Sequence, residues 1–154
     1  MKKSISVLTS LLLAAILLIG VTNCKKDENP TFDLSTLVSG TIDLNGATPA
    51  NTVPSSPTIT ATFNVDVDAT TVSNTTITLV RDYDAAAINL TLTVAGKTIT
   101  IVPDEGLGDG SLYKLSFLTG IKATDGQMLA AAIERTFTTA GSFSPSKNAK
   151  GPSR

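Results

Sequence analysis

The side chains of this sequence that could do chemistry are few and mostly acidic. Asp66 and Asp68 stand two residues apart, as do Asp82 and Asp84, and Asp104, Glu105 and Asp109 share the stretch Asp104-Glu105-Gly106-Leu107-Gly108-Asp109-Gly110. Residues i and i+2 of an extended strand point to one face, so each aspartate pair could flank a bond in the way glycoside hydrolysis requires. The same oxygens, Asp66 with Asp68 or the three acids of the glycine-rich loop, could supply hard ligands to calcium. Against both, each pair follows a strand-like run and leads into a loop, where aspartate favours turns. No EF-hand spacing is present, and no tryptophan offers a platform for a sugar. Neither catalysis nor a resident cofactor is therefore expected, and Asp66, Asp68, Asp104, Glu105 and Asp109 stand as the calcium candidates. The remaining reactive group is the thiol of Cys24, the one cysteine.

What the sequence lacks excludes more. It has no histidine, so imidazole acid/base catalysis, Ser-His-Asp and Cys-His triads and zinc sites of His/Cys type are ruled out. One cysteine rules out an internal disulfide. Lys+Arg total 12 against Asp+Glu 13, with a sequence pI near 5.3, so no basic footprint marks a nucleic-acid partner. Gly106 and Gly108 do not make a phosphate loop, because no Lys-Ser/Thr follows them. Asn74-Thr75-Thr76 and Asn89-Leu90-Thr91 fit the N-glycosylation acceptor pattern; a chance match is the expected reading.

Cys24 closes a segment built as an address. Lys2 and Lys3 precede an uncharged stretch from Ile5 to Val21, with Leu11–Ile19 continuously apolar. That is the build of a secretory signal peptide, with an apolar run short for a membrane-spanning helix. The thiol followed at once by Lys25, Lys26, Asp27 and Glu28 resembles a bacterial lipoprotein signal, with Asn23 where that family favours Gly, Ala or Ser. The resemblance implies a diacylglycerol thioether on Cys24, cleavage before it and acylation of the new amine. Two or three acyl chains anchor a protein stably where one does so marginally. Residues 1–23 are then a signal peptide and 24–37 a polar tether. The Lys-plus-acidic patch is similar to signals for export to the outer face of the outer membrane. Two other outcomes stay open, ordinary cleavage near Gly20-Val21-Thr22 and an uncleaved anchor.

The elements that must position the acids are strands. Ile59, Ala61, Phe63 and Val65 alternate with threonine and asparagine, and so do Ile88, Leu90, Leu92 and Val94. The pairs Ile77/Leu79 and Ile99/Ile101, and the run Tyr113, Leu115, Phe117, repeat the pattern. A period of two means one buried and one wet face, as in antiparallel sheets. Seven strands are expected, near 38–44, 57–65, 75–81, 87–95, 97–102, 111–119 and 131–139, with Ala95-Gly96-Lys97 as a hairpin turn. Short strands at this spacing predict an all-β, seven-stranded immunoglobulin-like Greek-key sandwich over 38–141. Its core should comprise Phe63, Ile77, Leu90, Ile99, Tyr113, Leu115, Phe117 and Phe137. Arg135 shares a face with Ile133 and Phe137, so it must snorkel outward or sit at a bulge. Helical turns fit only Asp84–Ala87 and Met128–Ile133, and residues 142–154 read as a disordered tail.

Residues 48–141 resemble the SbsA-type bacterial Ig-like domain. Thr48-Pro49-Ala50-Asn51 with Val53-Pro54 is similar to its opening, and Ile59–Asn64 followed by Val67-Asp68 and Thr71-Val72 to its second strand. Thr98–Pro103 with Leu107 and Tyr113 is similar to its middle, and Ile121–Gly126 with Thr136–Thr139 to its close. The resemblance implies a spacer, display or binding module with no shared catalytic residues. The expectation is thus a non-enzymatic, membrane-anchored lipoprotein of the outer membrane, displayed toward the surface or periplasm for adhesion or envelope organisation. Its partners are the membrane, through the lipid, and a protein or glycan that the sequence does not name. The alternative is a soluble secreted or periplasmic ligand-binding domain, calcium-dependent or not.

Overall fold

The computed structural model describes residues 31–143. Within them ten strands form two five-stranded sheets. They are β1 (Leu34–Ser39), β2 (Ile42–Asp43), β3 (Ala50–Val53), β4 (Ile59–Phe63), β5 (Ile77–Arg81), β6 (Ala87–Ile88), β7 (Leu90–Ala95), β8 (Thr98–Pro103), β9 (Leu112–Phe117) and β10 (Ile133–Thr139). The first sheet has the order β2-β1-β4-β8-β7, the second β3-β10-β9-β5-β6. All pairs are antiparallel except β3 with β10. With the seven principal strands lettered A to G in chain order, β1-β4-β8-β7 is the A-B-E-D sheet and β10-β9-β5 the G-F-C sheet of an immunoglobulin-like sandwich.

The strand count is ten rather than the seven expected, and the additions are short. β2 and β6 have two residues each, too few to show a period. β3 lies between Pro49 and Pro54 without alternation, yet Ala50 and Val53 pair with Phe137 and Thr139. The run 87–95 divides at Asn89, where the chain leaves one sheet for the other: Ile88 pairs with Leu79 and Leu90 with Pro103. The only helical turn among the described residues is a 3₁₀ turn at Ala69–Thr71, not at either place expected.

The fold also begins earlier than Val38. β1 starts at Leu34, and the Phe32 ring stacks 4.8 Å from that of Phe63, leaving Phe32 only 2% exposed. Residues 32–37 therefore belong to the domain and not to the tether. At the far end Phe143 packs edge-on against Tyr83 at 5.2 Å, so the chain is still docked at the start of the stretch read as tail. The signal segment, Cys24 and residues 144–154 lie outside the described residues.

All eight expected core side chains are buried. Phe63 of β4 meets Phe117 of β9 edge-on at 5.9 Å, joining the two sheets by ring contact where antibody domains use a disulfide. Tyr113 and Phe137, paired in register, stack at 5.8 Å. Each such fully buried large apolar side chain contributes about 1.5–3 kcal/mol relative to exposure. Arg135 solves its parity conflict by reaching out: its Nε donates to Asn45 Oδ1 at 2.9 Å and its Nη1 to the Glu134 carbonyl at 2.8 Å. Among the described residues no buried side-chain polar atom lacks a partner.

Candidate functional site

Asp66 and Asp68 fall in the connection from β4 to β5, on either side of buried Val67. This connection is zipped to the one between β9 and β10. Val67 bridges Ala123, Asp68 N–H donates to the Lys122 carbonyl at 2.9 Å, and Thr124 N–H donates to the Asp66 carbonyl at 2.9 Å. The Asp68 carboxylate is occupied locally, accepting from Thr70 Oγ1 at 2.7 Å and Thr70 N–H at 3.0 Å as the cap of the 3₁₀ turn. Those two hydrogen bonds hold its carboxyl below the ordinary aspartate range. Asp68 thus organises a turn, and the backbone of Asp66 the zipper.

Asp82 and Asp84 occupy the turn from β5 to β6. Asp84 takes a bidentate contact from Arg81, Nε to Oδ1 at 3.0 Å and Nη2 to Oδ2 at 2.7 Å, and also accepts from Ala86 N–H. The guanidinium lies 4.9 Å from the centre of the Tyr83 ring. Hydrogen bonding from Arg81 is the main cause that lowers the Asp84 pKa, and the reciprocal bond raises that of Arg81. An aspartate held by its own turn arginine is poorly placed to serve as a nucleophile or base.

The glycine- and acid-rich loop 104–110 carries the chain from β8 to β9 across the sandwich. Asp104 Oδ1 accepts from Thr91 Oγ1 at 2.8 Å, while Glu105 and Asp109 are exposed. The loop is anchored by its uncharged members. Leu107 is buried, and Gly108 N–H donates to the hydroxyl of Tyr113 at 2.7 Å. A buried tyrosine near the start of strand F bonding to backbone a few residues upstream is the tyrosine corner of immunoglobulin-like sandwiches. Thr139 at the end of β10 completes the corner: its hydroxyl accepts from Ser111 N–H and donates to the Gly108 carbonyl. Among the described residues no three Asp, Glu or Cys side chains gather closely enough to hold a metal ion together.

The five calcium candidates therefore divide between two separate connections, each with its own structural partners. A surface groove of about 430 Å³ lies between the 44–49 loop and Glu134–Thr136, and Arg135 there is already bonded to Asn45. Two residues matter more than their sequence pattern suggests. Asn74 reads only as a glycosylation match, yet its amide bonds Leu90, 16 positions on. Tyr113 reads only as a core residue, though a tyrosine five residues after Gly108 at the head of an alternating run is the signal that finds the corner.

The topology, the corner and the cross-sheet packing define an immunoglobulin-like sandwich module. Residues 37–139 match the family described as bacterial Ig-like domain, and the chain belongs to it. No curated protein matches the chain. Among solved structures it is similar to the N-terminal part of the bacterial S-layer protein SbsC, with a TM-score of 0.51 and 18% identity over 72% of this chain and 24% of that one. It is likewise similar to surface layer protein SbsC, domains 1–6, with a TM-score of 0.53 and 18% identity over 75% of this chain and 14% of that one. The chain thus spans a quarter or less of those proteins, and at this identity the likeness is one of fold.

Proposed function

We propose that the chain is a non-enzymatic display module of the bacterial cell envelope, held to the outer membrane by acyl chains on Cys24. In this reading its sandwich serves adhesion or envelope organisation. The observation that carries the proposal is the single thiol at the end of the signal-like segment, eight positions before Phe32, the first core residue among those described. At about 3.3–3.6 Å per extended residue, the linker between them reaches at most about 30 Å, so an anchored domain is held close to the lipid surface. The engagement of Asp68, Asp84 and Asp104 by Thr70, Arg81 and Thr91 supports the non-enzymatic half of the reading. The surface setting named for the S-layer proteins of the same fold is consistent with it.

Cys24→Ala is expected to move the protein from the membrane to the soluble fraction. The mature wild-type N-terminus is expected to carry the mass of a diacylglyceryl cysteine with an acylated amine. Unchanged fractionation of the variant, or a mature chain beginning elsewhere without fatty acid, overturns the proposal. No metal enters this reading. Thermal melts with added calcium and with a chelator are expected to coincide, and stabilisation by calcium of several degrees would favour a ligand-binding domain instead.

A further inference from the structure

A sheet edge exposes backbone N–H and C=O groups that can template another strand, and proteins blunt such edges with charge, proline or brevity. Three of the four edges here are blunted. β2 and β6 have two residues each, and β3 is four residues between Pro49 and Pro54. β7 is different: six residues, Leu-Thr-Leu-Thr-Val-Ala, with no charge and no proline.

The register says which of its backbone groups are free. Ala95 pairs with Thr98 across the two-residue hairpin loop, so Ala95, Thr93 and Thr91 turn their hydrogen bonds toward β8. Asp104 N–H bonding the Asn89 carbonyl continues that parity. Leu90, Leu92 and Val94 turn theirs outward. Asn74 satisfies both groups of Leu90 with its side-chain amide, each bond 2.9 Å long. Leu92 and Val94 remain, with no partner on that side among the described residues, and Thr93 lies midway between them.

We infer that β7 is a self-pairing edge, and that two copies of the chain join antiparallel about a two-fold axis at Thr93. Leu92 of each copy then pairs with Val94 of the other, making four hydrogen bonds across the axis and joining the two first sheets into one. Thr93 meets its own image at a non-hydrogen-bonded position, where Cα atoms lie about 4.5 Å apart. Asn74 ends the ladder symmetrically on both sides. The uncharged strand meets its image without like-charge repulsion. Antiparallel alignment also brings the hairpin end of one copy, where Lys97 Nζ donates to the Asn64 carbonyl at 2.9 Å, alongside the end of the other copy that carries Asp104 and Glu105. Such a closed isologous contact uses the same patch on both chains.

The test uses the full-length chain carrying Cys24→Ala, so that neither acyl groups nor a second thiol contributes. Thr93→Cys in this background is expected to give a disulfide-linked dimer under mild oxidation far faster than Asp125→Cys, an exposed site off the edge. Sedimentation velocity should show concentration-dependent dimerisation of the parent. Thr93→Lys, which sets two like charges together on the exposed face, should abolish it, as should Val94→Pro, which removes only an outward N–H. Equal cross-linking at positions 93 and 125, or a dimer fraction indifferent to the Thr93→Lys change, overturns the inference. So does a strictly monomeric parent, which would leave the edge to a strand from another protein.

Discussion

The side-chain amide of Asn74 stands in for a neighbouring strand at Leu90. Its Nδ2 donates to the Leu90 carbonyl and its Oδ1 accepts from the Leu90 amide, both at 2.9 Å. The contact falls where the chain passes from β6 to β7 and so from one sheet to the other. There Leu90 has gained its β8 neighbour on one side and has no strand on the other. One asparagine therefore fixes where β7 begins and closes the first rung of its open edge.

Asn74→Ala should lower stability by about 1 kcal/mol, because water can replace part of what the two bonds supply at this exposed position. Its local signature is sharper. Native-state hydrogen exchange at the Leu90 amide should speed up markedly while the Thr93 amide, bonded toward β8, stays protected. Equal change at both amides would mean that the whole strand, and not its first rung, depends on Asn74.

Tyr113→Phe removes the hydroxyl that accepts from Gly108 N–H in a part-buried setting. Leaving such a donor without a partner costs about 1–3 kcal/mol, and each kcal/mol lowers the melting temperature of a domain near this size by roughly 4–8 °C. Burial of the ring is unchanged, so the loss measures the corner and not the core. A melt matching wild type would show that the remaining contacts of the loop 104–110, through Asp104, Leu107 and Thr139, hold it without the tyrosine hydroxyl.

The sandwich was legible because its long strands bury one face each. The alternation of Ile59, Ala61 and Phe63 against threonine, or of Tyr113, Leu115 and Phe117 against Lys114 and Ser116, carries that information within five residues. The short edges were not legible, because two-residue pairings such as β2 and β6 have no period and form only once a neighbouring strand is in place. Asn89 interrupts no alternation: Ile88 and Leu90 both face the core, but from opposite sheets, and a period of two is blind to such a change of layer. The candidate acids fall in connections between strands, as their place after alternating runs suggests, yet their partners could not be read. Thr91 lies 13 positions from Asp104, and the bridge from Val67 to Ala123 spans 56. Nor could Phe32 be assigned to the core, since its partner Phe63 is a contact of the finished sandwich.

Gly110 and Gly126 both have positive φ, 57° and 88°, but only one of them is crossed by another segment. A Cβ at Gly110 would collide with the Phe143 amide nitrogen and stand 2.7 Å from the Ser142 carbonyl carbon, whereas one at Gly126 meets nothing within 4 Å. Gly126→Ala should therefore cost only the left-handed backbone penalty, about 1–2 kcal/mol. Gly110→Ala adds a backbone clash on top of that and should cost more than about 3 kcal/mol, or displace residues 141–143 from the sandwich. Equal melting temperatures for the two variants would place the chain end elsewhere in solution.

Asp84 gives the domain an acid sensitivity whose sign is fixed. Arg81 holds its carboxyl below the ordinary value of 3.8, so ionisation is favoured in the fold relative to the unfolded chain. The unfolded chain therefore binds the proton more readily. The resulting stabilisation is full above the unfolded value and disappears as pH falls through the lower folded one. Asp84→Asn loses this component at neutral pH and has none left to lose in acid. Between about pH 6 and about pH 2 its melting temperature should drop less than that of wild type, by an increment that shrinks with added salt. Parallel pH profiles for the two proteins would show that the Arg81–Asp84 contact carries no net stability in water, the usual outcome for an exposed pair of poorer geometry.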